Sequence, residues 1–183
     1  MKKLLIVVDM INGFITEGNL HDLNIAKIIP NCEKLIQQFL KNGDDVIAMR
    51  DCHTEDSQEF LAYPPHCLVG SNESELVDEL KKYQDEMTIV LKNSTNGFFA
   101  PGFEEIKQDL NNYNEILLVG CCSDICVLQL ALSLKTYCNQ HNYDCKIKVD
   151  SKACATFNIP GHNNEEYDKI AYNLMRSNGI IVL

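Results

Sequence analysis

Residues 115–128 read EILLVGCCSDICVL. The first six are apolar almost without interruption and stop at Gly120, the pattern of a short strand covered on both faces. Ser123 and Asp124 are residue types that start helices, and the apolar spacing from there to residue 138 is helical. Strand, tight turn and helix in that order form the unit of a parallel sheet. Five other runs share the strand character: LLIVVD (4–9), DVIAMR (45–50), MTIVLK (87–92), CKIKVD (145–150) and GIIVL (179–183). Helical spacing falls between them, at 30–42, 73–83, 102–111, 124–138 and 164–178. In the first of these Leu35, Ile36, Phe39 and Leu40 share a face, Pro30 suits the first turn and Gly43 the stop. The alternation predicts an α/β fold of three layers: a six-stranded, mostly parallel, Rossmann-like sheet with helices on both faces.

With 183 residues and no repeat, low-complexity tract or linker, the chain reads as one domain, 1–183, large enough to bury a core without staples. A formal net charge of −10 removes nucleic acid and anionic membrane surfaces from the candidate partners, because both require a basic footprint. No apolar run approaches the length of a membrane span. The beginning, MKKLLIVVDM, has the charge and apolar residues of a weak signal peptide. Its apolar run stops at Asp9 with no small-residue cleavage site, so it reads as the first strand. Nine cysteines, an odd number spread over strands and helices, imply buried thiols in a reducing cytoplasm rather than a disulfide framework.

In open parallel sheets, ligands bind beyond the carboxy ends of the strands. Asp9, Arg50–Asp51, Lys92, Cys121–Cys122 and Asp150 stand at those ends. Any one of them has an ordinary explanation as the point where a strand meets water; together they mark a site. Cys126 falls in the first turn of its helix, where free N–H groups and the dipole favour a thiolate. Cys121 and Cys122 precede the cap and gain less. With Asp9 to take the thiol proton and Lys92 to stabilise the charge, the set suits covalent acyl transfer.

The irregular stretch 51–72 is too long for a passive connection, and its residues 51–71 read DCHTEDSQEFLAYPPHCLVGS. Asp51 and His53 point the same way along an extended chain. His66 follows two stiffening prolines, and Glu59 lies between the histidines as a further candidate ligand. One carboxylate and two imidazoles suit a borderline divalent cation with positions left open for water or substrate. Solvent-facing loop histidines are the ordinary alternative.

Asp9 after LLIVV, the D-x-H at 51–53, PPH at 64–66, Lys92 and GCCSDICV at 120–127 together resemble the isochorismatase-like cysteine hydrolases. Within them the likeness is to the nicotinamidase branch, and it runs from the first strand to the last. The resemblance implies a triad of Asp9, Lys92 and Cys126, with Cys126 rather than Cys121 or Cys122 as nucleophile. It implies a non-proline cis peptide between Cys121 and Cys122, and an oxyanion hole from the backbone N–H groups of Cys122 and Cys126. It implies a divalent metal on Asp51, His53 and His66, and some members of the family add an acidic ligand where Glu59 stands; zinc is the first expectation, and iron and manganese suit the same donors. Phe14 and Tyr63 match positions that wall the pocket. The implied substrates are nicotinamide and pyrazinamide, in a step of NAD salvage, and family members are often homo-oligomers. One departure stands out. The residues before Lys92, Ile89 to Leu91, are aliphatic where an aromatic ring-stacking residue is usual.

Two rival readings remain at this level: an amidase of the same superfamily with another substrate, and a non-catalytic thiol- or metal-binding module. His21, His141 and His162 carry no signal and read as surface residues, and Asp144 reads as a solvated turn. Residues 157–169, FNIPGHNNEEYDK, either cover the site or lead into the last helix.

Overall fold

A computed structural model of the chain describes residues 2–183. Six strands form one sheet: β1 (Lys2–Val8), β2 (Asp45–Asp51), β3 (Thr88–Lys92), β4 (Tyr113–Cys121), β5 (Lys146–Ala155) and β6 (Ile181–Val182). Their order is β3-β2-β1-β4-β5-β6, and every neighbouring pair is parallel. The sheet is therefore wholly rather than mostly parallel. The chain runs outward from β1 to β3, crosses back, and builds the other half from β4. This leaves a reversal point between β1 and β4, where such sheets open a crevice at their carboxy ends.

Helices α1 (Asn12–Ile15), α2 (Ile29–Asn42), α3 (Asp78–Lys81), α4 (Glu104–Gln108), α5 (Cys126–His141) and α6 (Asn164–Ser177) lie between the strands. Leu5 and Val7 of β1 pack with Ile36 and Phe39 of α2 on one face. Leu4, Ile6 and Val8 pack on the other face with Leu130 and Leu134 of α5 and Met175 of α6. Both faces of β1 are dry, which is why its sequence does not alternate. Pro30 sits in the first turn of α2, and Gly43 closes it in the left-handed region at φ 74°, handing its N–H to Leu40.

One glycine and one aspartate shape the crevice. At Gly120 (φ +115°) a Cβ would stand 2.0 Å from the Val8 carbonyl oxygen, so β1 and β4 converge only with glycine there. Asp9 follows β1 at φ 52°, a conformation that Asp tolerates better than most residues, and turns out of the strand direction at the crevice.

The expected helix at 73–83 is broken by an extended stretch at 75–77. Asn12 N–H donates to Glu75 and Val77 N–H to Met10, so residues 75–77 pair with the chain after β1 and only Asp78–Lys81 is α-helical. The helix expected at 102–111 shortens to Glu104–Gln108 between 3-10 turns. Asp150 is not at a strand end. Its carboxylate takes the Lys152 N–H at 2.9 Å, the ladder to β4 slips there, and β5 continues to Ala155.

Candidate active site

β1, β2, β3 and the turn after β4 deliver Asp9, Asp51, Lys92 and Cys126 to one point, all of them buried. Register explains the meeting: Asp51 is paired directly with Lys92 across β2 and β3, and Asp51 N–H donates to Asp9 Oδ1 at 2.9 Å. Lys92 Nζ donates to Asp51 Oδ1, lies 2.8 Å from Asp9 Oδ2 and 3.8 Å from Cys126 Sγ. The approach to Asp9 Oδ2 is an ion pair without hydrogen-bond geometry, so that oxygen keeps a free lone pair. A carboxylate oxygen of Asp9 and the Cys126 sulfur lie within 4.8 Å of each other. Cys121 is turned away, its thiol donating to the Asp9 carbonyl at 3.1 Å.

Two acids around one ammonium cannot behave alike. Burial pushes Asp9 up to about 7, against the pull of Lys92 and with added repulsion from Asp51. Asp51 is just as buried, yet the Lys92 charge holds it far below the carboxylate range. Lys92 is held well above its usual value despite burial, chiefly by Asp51 and then Asp9. The thiolate expected from the helix start does not form unaided. Burial pushes the Cys126 thiol well above its ordinary range; Lys92 opposes that, and the two carboxylates add to it.

The helix start differs as well. Neither Ser123 nor Asp124 caps α5; Ile125 occupies the cap position without a side-chain bond. Ser123 donates instead to Asp168, and Asp124 pairs with His162 at 2.8 Å, tertiary partners that outcompete a local cap. The Cys121–Cys122 peptide is cis. Cys122 C=O accepts from Ile125 and Val127, while among the described residues the N–H groups of Cys122 and Cys126 have no acceptor.

On the other side of Asp51 lies the histidine cluster. Asp51 Oδ2 is 3.5 Å from His53 Nε2 and 3.8 Å from His66 Nε2, and Glu59 Oε2 is 3.8 Å from His53 Nε2. His53 Nδ1 lies 3.0 Å from Asn93 Oδ1, and His66 Nδ1 lies 2.9 Å from the Pro64 carbonyl. Both acceptors call for Nδ1–H, which aims an Nε2 lone pair inward from each ring. His53 Nε2 and Glu59 Oε2 are buried with no partner, and Thr95 N–H fixes the other oxygen of Glu59. One ligand atom each of Asp51, His53 and His66 lies within 4.8 Å of the others, a set that fits a divalent cation, with Glu59 Oε2 beside His53 as a further carboxylate outside that group. Asn93 was invisible in the sequence. Its position next to Lys92 is the one signal it offered.

A cavity of about 340 Å³ opens onto both halves and reaches Cys126, Cys122, Asp51, Glu59 and His66. Phe14 and Tyr63 line it as expected, and so does Phe157. Residues 157–159 thus cover the site rather than merely leading into α6. None of the aliphatic residues before Lys92 faces the cavity, so their lack of an aromatic ring does not shape it: Val90 is in the core and Leu91 points to solvent. Two histidines read as surface residues have more to them: exposed His21 lines the cavity mouth, and His162 is half-buried. His141 is exposed, as expected.

A family model described as the Isochorismatase domain matches residues 3–183. The chain belongs to the isochorismatase family. As a member of that family it is a hydrolase of the three-layer α/β type. It is 34% identical over 179 residues to Nicotinamidase 1 of Arabidopsis thaliana, covering 86% of this chain and 71% of the relative. Among solved structures it is similar to the nicotinamidase of Bacillus subtilis, at 29% identity and a TM-score of 0.82 over 100% of this chain and 99% of that one. It is also similar to the N-carbamoylsarcosine amidase of Thermoplasma acidophilum, at 27% identity and a TM-score of 0.79 over 100% and 95%.

Proposed function

We propose that this isochorismatase-family chain hydrolyses nicotinamide to nicotinate and ammonia, a step of NAD salvage, and pyrazinamide in the same way. One observation carries the reading. The Cys126 sulfur, the Asp9 carboxylate and the Lys92 ammonium meet, dry, beside a cavity that also opens onto the lone-pair cage of Asp51, His66 and Glu59. An aromatic amide with a ring nitrogen has one functional group for each half.

The chemistry follows from the charges. Asp9, poised at about 7, is available at neutral pH both as base and as acid. It accepts the Cys126 proton, and the Lys92 charge stabilises the thiolate so formed. Sulfur bonds to the amide carbon as the carbonyl electron pair moves onto oxygen, where the unpartnered N–H groups of Cys122 and Cys126 form the oxyanion hole. The C–N bond then breaks, Asp9 returns its proton to nitrogen, and ammonia departs from a thioester. Water, deprotonated by Asp9, hydrolyses the thioester and restores the thiol. Lys92, gripped by two carboxylates, is a fixed charge in this cycle and not a proton donor.

Asp51, His53, His66 and Glu59 would hold the divalent ion, which supplies, when bound, a Lewis-acid partner for a ring nitrogen. The donor set suits zinc first, and iron or manganese by the same ligands.

A second reading, a ureido or linear amidase, draws on the comparable likeness to the N-carbamoylsarcosine amidase. The aromatic lining from Phe14, Tyr63 and Phe157 favours a ring. Ammonia release from nicotinamide, pyrazinamide and N-carbamoylsarcosine by the metal-loaded enzyme separates the two. Turnover of the ring amides is expected; turnover of N-carbamoylsarcosine alone refutes the proposal.

A further inference from the structure

His162 joins two parts of the molecule on which the chemistry above depends separately. Its ring lies between Phe157, with centroids 3.9 Å apart and 11° between the planes, and Tyr167, at 3.7 Å and 26°. Each ring nitrogen faces an oxygen: Nδ1 is 3.0 Å from the Phe157 carbonyl, and Nε2 is 2.8 Å from Asp124 Oδ2. Asp124 belongs to the turn between Cys122 and Cys126 and, among the described residues, has no other side-chain bond, since its Oδ1 is buried without a partner. Phe157 is part of the cavity wall.

The segment that carries both rings is stiff. Ile159 and His162 exchange two backbone hydrogen bonds, of 3.2 and 2.9 Å, around Pro160 and Gly161, and Gly161 adopts φ +86°. On its far side Asn158 N–H donates to Asp22 Oδ2 at 2.8 Å. Stacked on both faces, with an oxygen at each nitrogen and its N–H donated to one of them, the imidazole keeps its plane and so fixes that of Phe157. The bond to a carboxylate makes that hold charge-assisted.

We infer that Asp124 and His162 are positioning residues that tie the nucleophile turn to the strap 157–162, and that they hold Phe157 as an aromatic wall for the ring of a planar carboxamide. The inference rests on the nicotinamidase reading. It adds a specificity device that the sequence did not display, because its parts come from the turn after β4, the strap and α6.

The test is steady-state kinetics of the metal-loaded enzyme on nicotinamide, with thermal melts as the control for folding. Phe157→Ala and His162→Ala should each raise KM about fivefold to tenfold, the worth of one aromatic contact. Loss of a ground-state contact leaves kcat within about twofold. The double variant should be no worse than the poorer single one, because His162 acts through Phe157. Phe157→Tyr, which keeps the ring, should hold the original KM. If His162→Ala melts out, His162→Gln replaces it, with a polar group beside Asp124 but no ring for Phe157, and should show the same rise in KM. Multiplying effects in the double variant, or a fall in kcat at constant KM, overturn the inference. An unaltered enzyme that does not turn over nicotinamide overturns the reading beneath it; turnover with a KM indifferent to every substitution overturns this inference alone.

Discussion

The thiol half and the histidine half of the site share Lys92 and Asp51 but are built on opposite terms. The thiol half is assembled from strand ends and a helix start, and its charges answer one another: two carboxylates, one ammonium, one thiol. The histidine half comes from a single loop, and its inward atoms, His53 Nε2 and Glu59 Oε2, answer nothing among the described residues. One half is complete as a protein structure and the other only with a cation. Asp9 and Asp51 show the division in miniature. Both are buried beside Lys92, yet Asp51 takes a hydrogen bond from its ammonium and stays ionised, whereas Asp9 is left to titrate.

The strongest strain on this contrast is removal of the sulfur. Cys126→Ala should lower kcat for nicotinamide by about 10⁴-fold or more, while Cys121→Ala, whose thiol only meets the Asp9 carbonyl, should keep turnover. Equal loss in both variants would show that the thiol half has been assigned to the wrong cysteine. Lys92→Met tests whether the charges there are mutually dependent. It strands two buried carboxylates, and urea denaturation should show a loss of about 3–5 kcal/mol. A loss within experimental scatter would mean that the carboxylates find another counter-charge.

The histidine half should respond differently. Asn93→Ala removes the nearer of the two oxygens at His53 Nδ1, leaving Ser57 Oγ at 3.3 Å, and zinc affinity by calorimetric titration should weaken by about 10- to 100-fold with little change in folding stability. Unchanged zinc affinity would remove the cation from the cage. The smallest effect is graded by pH. Asp9 must be ionised to accept the thiol proton, and burial raises it to about 7, so activity grows with pH up to that point and levels above it. Below it kcat/KM should fall by about tenfold per pH unit. A profile flat from pH 5 to 8 would assign the base elsewhere.

Much of the frame was readable in one dimension. Six strands and a parallel sheet followed from apolar runs that do not alternate, and the ends of those runs pointed to Asp9, Asp51, Lys92 and the cysteine turn; the order of the strands did not. Where the reading missed, a tertiary partner had displaced a local preference at two places and a local turn had intervened at a third. Residues 75–77 left a helix to pair with the chain after β1. Ser123 and Asp124 left the cap of α5 for Asp168 and His162. Asp150 turned its carboxylate onto Lys152 N–H, and the strand ran on past it.

Order along the chain, then, settled the layers, the position of the crevice and the kinds of side chain that reach it, because burial on both faces and helical spacing are written in consecutive residues. Which carboxylate stays charged, which thiol meets an acid, which ring nitrogens keep a lone pair and which loop walls the cavity were decided in three dimensions. Those properties depend on desolvation and on distances of a few ångströms between residues 34 to 112 positions apart, and spacing along the chain encodes neither.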